Sequence, residues 1–396
     1  MKNNTSYRPT ISACFLGYIV QAIVNNLAPL LFLTFRSDFS IPLSKITFLI
    51  TFNFGVQLLV DLISPPFIDK LGCRSSMLLA NAFCMAGLSL MTVLPSAAPT
   101  PFSGLIICVM LYAVGGGLLE VLVSPIVEAC PTENKETAMS MLHSFYCWGQ
   151  VAVVGLSTLF FTLAGISHWR ILSLLWAAVP LADLILFLKV PVPELVPEDG
   201  KHRTYSSLFK DRLFIKLMLM MLCAGACELT VSQWASTFAE AGLHVSKTVG
   251  DLLGPMLFAV LMGTSRAVFG IFGERMDLRR FMLGSAVLCT ACYAVISLSD
   301  NAALGLAACA LCGFSVGIFW PGTFSLGSAS VKNGGTLMFA LFALAGDLGC
   351  QSGPTLAGET AALFGDDLHK GMLFAMIFPV LMLVLLLTDK KTHRDT

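Results

Sequence analysis

The stretch Asp69-Lys70-Leu71-Gly72-Cys73-Arg74 closes an apolar segment of the chain, and a related stretch closes another. The second copy reads Glu274-Arg275-Met276-Asp277-Leu278-Arg279-Arg280, at an offset of 205 residues from 69 to 274. Each copy has an acid followed by a base, a spacer and further basic residues. Two such charged hairpins beside long apolar segments are typical of membrane transporters made of two similar halves.

The composition indicates an integral membrane protein. Apolar residues make up 56% of the chain and charged residues 12%, and the mean hydropathy is +0.81. A soluble domain carries about 25% charged residues. The net charge is zero, so no nucleic acid or acidic polymer is predicted as a partner. The thirteen cysteines lie mostly in apolar runs; we interpret them as packing residues and expect no metal, disulfide or other cofactor.

Twelve apolar runs are long enough to cross a membrane, since a spanning helix needs about 20 residues. Runs of this length do not alternate as barrel strands do, so we expect helices. The predicted fold class is an all-α integral membrane protein with twelve transmembrane helices in two pseudo-symmetric six-helix bundles. The runs are 10–34, 46–68, 76–95, 103–126, 138–164, 169–190, 213–240, 248–272, 280–298, 302–327, 335–358 and 368–388.

Lysine and arginine predict the orientation, because cytoplasmic loops carry an excess of both. If the amino terminus is cytoplasmic, the inside segments hold most of the basic residues. Both termini are therefore predicted to be cytoplasmic, in a multi-pass protein of the cytoplasmic membrane. The outside loops then hold only Arg36, Lys45, Arg170, Lys247 and Lys370.

The stretch 191–212 is rich in proline and charge and falls between the sixth and seventh runs. We interpret it as a solvated cytoplasmic linker and not as a ligand site. It separates a predicted N-terminal six-helix bundle, residues 1–190, from a predicted C-terminal bundle, residues 213–396.

The spans, the central loop and the repeated hairpin resemble the major facilitator superfamily over the whole chain. The family's loop signature has a glycine, three residues, an acid, a base, one residue, a second glycine and two bases. The first copy matches it at Asp69, Lys70, Gly72 and Arg74, with Pro65 in place of the leading glycine. The second copy keeps Gly270, Glu274, Arg275, Arg279 and Arg280, and has Asp277 where glycine is usual.

Further motifs are similar to the fucose–glucose permease branch of that superfamily, which implies a monosaccharide substrate and often a coupled proton. The chain departs from this branch at Ala28-Pro29, where fucose permeases carry a proton-linked aspartate. Their proton mechanism therefore does not transfer whole. The similar motifs are Asn25-Asn26-Leu27, Gly117-Leu118-Leu119-Glu120, His143-Ser144-Phe145-Tyr146-Cys147-Trp148-Gly149, Glu228 with Trp234, and Gly346-Asp347-Leu348-Gly349.

Ionisable residues inside spans cost about 2.5–3.5 kcal/mol on insertion scales, so each calls for a reason. Glu120 lies in the fourth run, after Gly115-Gly116-Gly117. The resemblance implies that spans one, four, seven and ten line the cavity. We therefore expect Glu120 to bind a proton, a substrate hydroxyl or both. The structural alternative is a hydrogen bond to a neighbouring helix.

Glu228 in the seventh run forms a polar and aromatic group with Gln233 and Trp234. Such a group suits a sugar, whose C–H faces stack on a ring while its hydroxyls bond to acids and amides. We expect these residues to contact the substrate and Glu228 also to carry a proton. A structural contact to the backbone would also explain the acid.

His143 and Tyr146 are three residues apart and share a helix face, and both match sugar-contact positions of the fucose permease motif. Asn25 and Asn26 offer amide donors and acceptors for hydroxyl groups, with interhelical hydrogen bonding as the alternative. Trp320 precedes a proline and is interpreted as an aromatic wall of the cavity at a kink. Packing alone would also explain Trp320 and His143.

Asp347 and Gln351 share a helix face in the eleventh run; we expect a second proton carrier or ion-pair partner at Asp347 and a substrate contact at Gln351. Arg266 is the only cation deep in an apolar run, so an ion pair with a buried acid is predicted, and an anionic substrate is the alternative. The offset of 205 carries Asp61 onto Arg266, which predicts a conformational contact. Asp183 is the least informative acid and is expected to be hidden against a neighbour.

The two hairpins are predicted to gate the cytoplasmic side by biasing a two-state equilibrium, without touching the substrate. Asp69 is expected to accept hydrogen bonds from a helix amino terminus, and Arg74 to reach acids such as Glu128. The predicted gating residues are Asp61, Asp69, Lys70, Gly72, Arg74, Arg266, Glu274, Arg275 and Arg279.

Together these residues predict a secondary transporter and not an enzyme. It would move a small polar solute, a monosaccharide or derivative, by alternating access coupled to protons, as a monomer in the bilayer. No P-loop is visible, so an ion or solute gradient is the expected energy source. Two rivals stay open: a proton-coupled exporter of drugs or metabolites with the same fold, and a non-transporting membrane sensor.

Overall fold

A computed structural model describes residues 6–41, 43–195, 203–243, 252–365 and 367–388. Every regular element in these ranges is a helix, which confirms the predicted all-α fold class. The predicted span 248–272 and the predicted linker 191–212 include residues outside the described ranges, as does the carboxyl-terminal tail.

The helices before the linker are α1 (Arg8–Leu30), α2 (Phe32–Phe39), α3 (Leu43–Ile63), α4 (Pro65–Leu71), α5 (Cys73–Leu90), α6 (Leu94–Ala97), α7 (Pro101–Ala129), α8 (Lys135–Ala164) and α9 (Trp169–Lys189). Those after it are α10 (Tyr205–Phe209), α11 (Arg212–Leu243), α12 (Leu257–Phe272), α13 (Leu278–Leu298), α14 (Ala302–Val316), α15 (Phe319–Ser330), α16 (Gly335–Leu363), α17 (Leu368–Ala375) and α18 (Ile377–Leu387). A π-helical turn, Leu252–Met256, precedes α12.

Each predicted span overlaps with one of these helices or with a consecutive pair of them. Nine helical segments of the described ranges are long and apolar enough to cross a membrane. A tenth is the broken pair Thr51–Ile63 and Pro65–Leu71, bent by 62°, where two consecutive prolines lack the N–H groups that would continue α3. The helices α5 and α16 are less apolar because they carry residues such as Asn81 and Asp347. The chain is therefore a multi-pass membrane protein.

The described chain forms two compact units. The first unit consists of Met1–Thr132, Phe145–His202 and Gly335–Ala340, and the second of Glu133–Ser144, Arg203–Gly334 and Leu341–Thr396. The unit boundary therefore falls within α8, whose first turns belong to the second unit. The predicted division of the chain at 191–212 stays a prediction.

Each unit has its own helical core. In the first unit α7 packs against α1, α3 and α5, and α9 packs against α1 and α5. In the second unit α14 packs against α11, α12 and α13, and α18 packs against α11 and α13. Buried polar side chains such as Glu120 and Arg266 lie within these packed cores, where each must find a partner inside the protein.

Candidate functional site

Glu120 is buried in the first unit, with 9% of its surface exposed. It lies on α7, and the Gln21 Nε2 on α1 donates a hydrogen bond to its Oε2 at 2.6 Å. An amide can serve either charge state of a carboxyl, because it has N–H donors for a carboxylate and an oxygen acceptor for a carboxylic acid. Glu120 therefore has a partner that suits both loading and release of a proton.

Asn25, one turn beyond Gln21 on α1, joins three helices. Its Oδ1 accepts hydrogen bonds from Gln57 Nε2 at 2.9 Å and Asn53 Nδ2 at 3.2 Å, both on α3. Its Nδ2 donates to the Tyr146 hydroxyl of α8 at 3.4 Å. The Asn25 oxygen thus has two donors, whereas its amide nitrogen makes one long bond among the side chains that the structure describes. That nitrogen is well suited to donate to a solute hydroxyl.

The hydroxyl groups of Tyr18 and Ser124 extend the hydrogen-bond network of Asn25 through the ring of Tyr146. The Tyr18 hydroxyl lies 2.9 Å from Ser124 Oγ, and the Tyr18 ring meets the edge of the Tyr146 ring with centroids 6.5 Å apart. The Gln21–Glu120 pair lies one helical turn from this network on both helices, since Gln21 precedes Asn25 by four residues and Glu120 precedes Ser124 by four. We call the pair and the network together the first polar cluster. Its members are Tyr18, Gln21, Asn25, Asn53, Gln57, Glu120, Ser124 and Tyr146.

Two oxygens of this cluster are buried without a hydrogen-bond donor among the described residues. They are Gln21 Oε1 and Asn53 Oδ1, and both side chains are at least nine-tenths buried. A buried acceptor left unsatisfied costs about 1–3 kcal/mol. Any bound group that supplies hydrogen-bond donors would remove that cost.

Of the predicted site residues, Asn25 contacts Tyr146, and Glu120 contacts Gln21, one turn before Asn25 on α1. Their neighbour Asn26 takes no part in these contacts, and the role of each residue at a substrate stays a prediction. The Asn26 Nδ2 donates to the Ala22 carbonyl of its own helix at 2.9 Å. Tyr18, Gln21, Asn53 and Gln57 were missed. Their spacing was a usable signal, because Gln21 and Asn25, like Asn53 and Gln57, are four residues apart and share a helix face.

Arg266 of α12 is the centre of the second unit's site, with 3% of its surface exposed. Its Nη2 lies 3.0 Å from Glu228 Oε2 of α11. Its Nε donates to the Gly317 carbonyl at 2.8 Å, just after α14, and its Nη1 to the His143 carbonyl at 3.2 Å. In return Ser140 Oγ donates to the Arg266 carbonyl at 2.7 Å. The guanidinium thus holds α11, α12, α14 and the first turns of α8 together.

Aromatic rings continue from this ion pair. The His143 ring stacks on Phe324 at 5.5 Å between centroids, and Phe324 lies 6.4 Å from the Trp320 ring. Trp320 packs against Gly346, next to the buried Asp347. We call Glu228, Arg266, His143, Phe324, Trp320 and Asp347 the second cluster.

Three other predicted contacts lie apart from the second cluster. Gln233 and Gln351 are exposed in the structure. The Trp234 ring faces Gly358 of α16, and its Nε1 is buried without an acceptor among the described residues. Their roles at the substrate stay predictions.

The arginines of the two hairpins occupy equivalent positions. Arg74, at the start of α5, donates to the carbonyls of Phe187, Leu188 and Val190 at 2.9, 3.0 and 2.6 Å, at the end of α9. Arg279, at the start of α13, donates to the Leu386 carbonyl at 2.8 Å, at the end of α18. Helix ends leave such carbonyls without intrahelical partners.

This placement replaces the expected contact of Arg74 with Glu128. The carbonyls at the end of α9 carry the negative end of the helix dipole and attract the guanidinium. Gly72 has a φ of +80°, which favours glycine at the hairpin bend. In the second hairpin Asp277 caps α13 by accepting from Arg280 N at 2.7 Å. The remaining hairpin charges, Asp69, Lys70, Glu274 and Arg275, are exposed.

Asp61 is buried on α3 and belongs to the first unit, whereas Arg266 belongs to the second. The proposed coupling between them stays a prediction. Among the described residues, no group of three or more His, Cys, Asp or Glu side chains could hold a metal ion.

The family model of the Major Facilitator Superfamily matches residues 13–354. The chain belongs to this superfamily. Family and fold are those of transporters and not of enzymes. A search of curated protein sequences finds no match.

Solved structures support the same fold. The E. coli fucose:proton symporter FucP aligns with a TM-score of 0.81 at 15% identity, over 98% of this chain and 100% of that one. The proton:xylose symporter XylE, bound to 6-bromo-6-deoxy-D-glucose, aligns with 0.80 at 13% identity, over 98% and 95%. The human organic anion transporter MFSD10 (TETRAN) aligns with 0.75 at 16% identity, over 97% and 100%. At these identities the likeness concerns the fold.

Proposed function

We propose that the protein is a secondary transporter that carries a neutral polyhydroxy solute, a monosaccharide or derivative, together with a proton. The observation that carries the proposal is the first polar cluster. The cluster combines a buried carboxyl with amide and phenol groups on α1, α3, α7 and α8. Two of its buried amide oxygens have no hydrogen-bond donor among the described residues. Hydroxyl groups are neutral donors and acceptors that fit such a set.

Glu120 is the proposed proton site. Its partner Gln21 can hydrogen-bond to both protonation states, so a proton can be exchanged without leaving the carboxyl unpaired. Two of the similar structures are named as proton symporters of fucose and xylose, which agrees with a sugar and a proton as cargo. Glu228 and Asp347 are proposed as further proton carriers of the second unit.

An anionic substrate is disfavoured. The guanidinium of Arg266 is committed to Glu228 and to the carbonyls of His143 and Gly317. Binding of an anion there would have to break this set. MFSD10, named as an organic anion transporter, shares the fold, so a panel of substrates must include organic anions.

We also propose a membrane location, an orientation, an oligomeric state and gating residues, all of them from the sequence. The protein would lie in the cytoplasmic membrane with both termini inside and work as a monomer. Its two hairpins and the residues Asp61 and Arg266 would bias the alternation between states.

Reconstituted vesicles test the function. Vesicles that contain the purified protein are loaded with one member of a panel of monosaccharides, sugar acids, organic anions and lipophilic cations. Counterflow of the same compound, added outside in labelled form, is then measured. We expect counterflow with at least one neutral sugar. Counterflow with anions or lipophilic cations alone would establish an exporter or anion carrier instead. No counterflow, with no thermal stabilisation by any compound, would favour a sensor.

Coupling is tested in the same vesicles. Glu120→Gln is expected to abolish accumulation driven by a proton gradient while it spares exchange. Asn26→Ala is the matched control, because the Asn26 amide bonds its own helix. Unchanged accumulation in Glu120→Gln would move the proton site to another residue.

A further inference from the structure

A second carboxyl of the first unit is buried away from the polar cluster. Asp183 of α9 and Asn81 of α5 are both 0% exposed. The Asn81 Nδ2 donates to Asp183 Oδ2 at 2.8 Å and also to the Met77 carbonyl of its own helix at 3.1 Å. Both amide protons of Asn81 are thus in use.

The oxygens of this pair are not all satisfied. Asp183 Oδ1 and Asn81 Oδ1 are buried and have no hydrogen-bond donor among the described residues. Both are acceptors if Asp183 is ionised, so neither can satisfy the other. One donor between them would be enough to satisfy both.

No positive charge accompanies Asp183 in the part of the chain that the structure describes. Its one described side-chain hydrogen bond comes from the neutral amide of Asn81. The titratable groups that face Asp183 are the thiols of Cys14 on α1 and Cys84 on α5. An ionised carboxylate buried without a cation costs several kcal/mol, and in practice such a group is neutralised.

We propose that Asp183 and Asn81 form a proton-binding site that holds one resident proton. The carboxylate takes up a proton from water as the unit assembles and becomes a carboxylic acid. Its O–H donates to the Asn81 oxygen, and an Asn81 N–H donates back to the other carboxyl oxygen. This cyclic acid–amide pair satisfies both orphaned oxygens and buries no charge.

The resident proton is separate from the proton proposed for Glu120. Gly17 of α1 packs beside Asp183, since a methyl group placed on it would be 3.6 Å from Asp183 Oδ2. The same methyl would be 3.3 and 3.7 Å from the side chains of Val123 and Leu119 on α7. These two side chains are apolar and have no donor or acceptor that could pass a proton on. In the proposal the proton on Asp183 therefore stays with the protein and is not transported.

The pair acts as a neutral fastener between α5 and α9. Directed hydrogen bonds between buried side chains hold helices together in a membrane, where apolar contact with lipid competes with apolar packing. An amide in place of the acid would keep this role, because two amides can pair in the same cyclic way.

Infrared difference spectroscopy tests the proposal on the full-length protein with carbon-13-labelled aspartate, which separates aspartic from glutamic acid bands. The wild type minus Asp183→Asn spectrum at neutral pH is expected to contain the carbonyl band of a protonated aspartic acid. Asn81→Ala is expected to shift that band, since the Asp183 carboxyl then loses its hydrogen-bond partner. A spectrum with only a carboxylate band from Asp183 would overturn the proposal.

Transport separates a resident proton from a transported one and does not depend on the spectrum. Asp183→Asn is expected to retain proton-driven accumulation within about twofold of wild type, whereas Glu120→Gln loses it. If Asp183→Asn folds but loses accumulation as Glu120→Gln does, the proton is transported and the proposal is wrong. If neither protein transports any solute, the function proposed above fails, and the infrared band still decides the state of Asp183.

Discussion

Arg266 and Glu228 form an ion pair of 3.0 Å inside the second unit, and the guanidinium also binds two main-chain carbonyls. Glu228 therefore offsets the charge of Arg266, while other N–H groups of the guanidinium bind the carbonyls of Gly317, just after α14, and of His143 in α8. A buried pair of this kind adds little net stability, but the loss of one partner leaves an uncompensated charge.

The first prediction concerns this asymmetry. Glu228→Gln, which strands the Arg266 charge, is expected to lower the free energy of unfolding by about 3–5 kcal/mol. Glu228→Gln combined with Arg266→Gln is expected to cost less than the sum of the two single changes. Unfolding of the detergent-solubilised protein, followed by tryptophan fluorescence, measures all three. Additive losses would mean that the two side chains do not stabilise each other.

How far this site was foreseeable depends on the kind of partner. A lone cation in an apolar run needs an acid, and that much follows from the cost of burying a guanidinium. Which acid it meets depends on the faces that α11 and α12 turn to each other, and a single sequence does not contain that. The contacts of Arg266 with the carbonyls of His143 and Gly317 could not be predicted from the sequence. Every residue has a main-chain carbonyl, and no residue type indicates which one accepts a hydrogen bond.

The positions of the helices were easier to predict from the sequence than the side-chain contacts. Apolar runs of about 20 residues can only be helices in a bilayer, so their positions follow from length. The amides of Gln21 and Gln57 are not among the predicted site residues, because a neutral amide in an apolar run is a weaker signal of function than an ionisable group. Their i, i+4 spacing to Asn25 and Asn53 carried the information.

The second prediction concerns Asn25, which joins α1 to α3 and α8. Asn25→Ala removes the acceptor of Gln57 and Asn53 and a donor available to the solute. We expect the solute affinity to fall at least about tenfold, which corresponds to about 1.4 kcal/mol. Binding is measured by isothermal calorimetry with the sugar identified by counterflow. Asn26→Ala is the control and should bind within about twofold of wild type; equal losses in both variants would contradict a special role for Asn25.

The third prediction compares the two hairpin arginines. Within the described ranges, Arg74 makes three hydrogen bonds to the end of α9, whereas Arg279 makes one to the end of α18. A hydrogen bond to a charged group is worth about 1.5–3 kcal/mol. Arg74→Met should therefore destabilise the protein more than Arg279→Met in thermal unfolding.

Arg280→Met serves as the control for the loss of a basic residue, because the Arg280 side chain is exposed. Its unfolding temperature should stay close to that of the wild type. If Arg280→Met is as unstable as Arg74→Met, charge and not the bonds to the helix end explains the effect.

The fourth prediction concerns Asp211, which precedes α11. Its carboxyl accepts from Arg203 at 2.8 Å and from the Leu213 N–H at 3.0 Å. These interactions, the Arg203 hydrogen bond first, lower the pKa of Asp211 below its usual value. Because the folded-state pKa is lowered, the stabilisation is present above the unfolded-state pKa and is lost as the pH falls through the folded-state pKa. Acidification should therefore loosen the start of α11.

Hydrogen exchange of the Leu213 amide measures this local opening. In the wild type its protection, after correction for intrinsic exchange, should fall on acidification below the usual aspartate pKa. Asp211→Asn keeps an oxygen that can cap the helix but cannot titrate, so its protection should be lower at neutral pH and independent of pH over that range. Asp211→Ala should lose the cap as well and fall further, by about 1 kcal/mol. A wild-type acid dependence that persists in Asp211→Asn would assign the effect to another carboxyl.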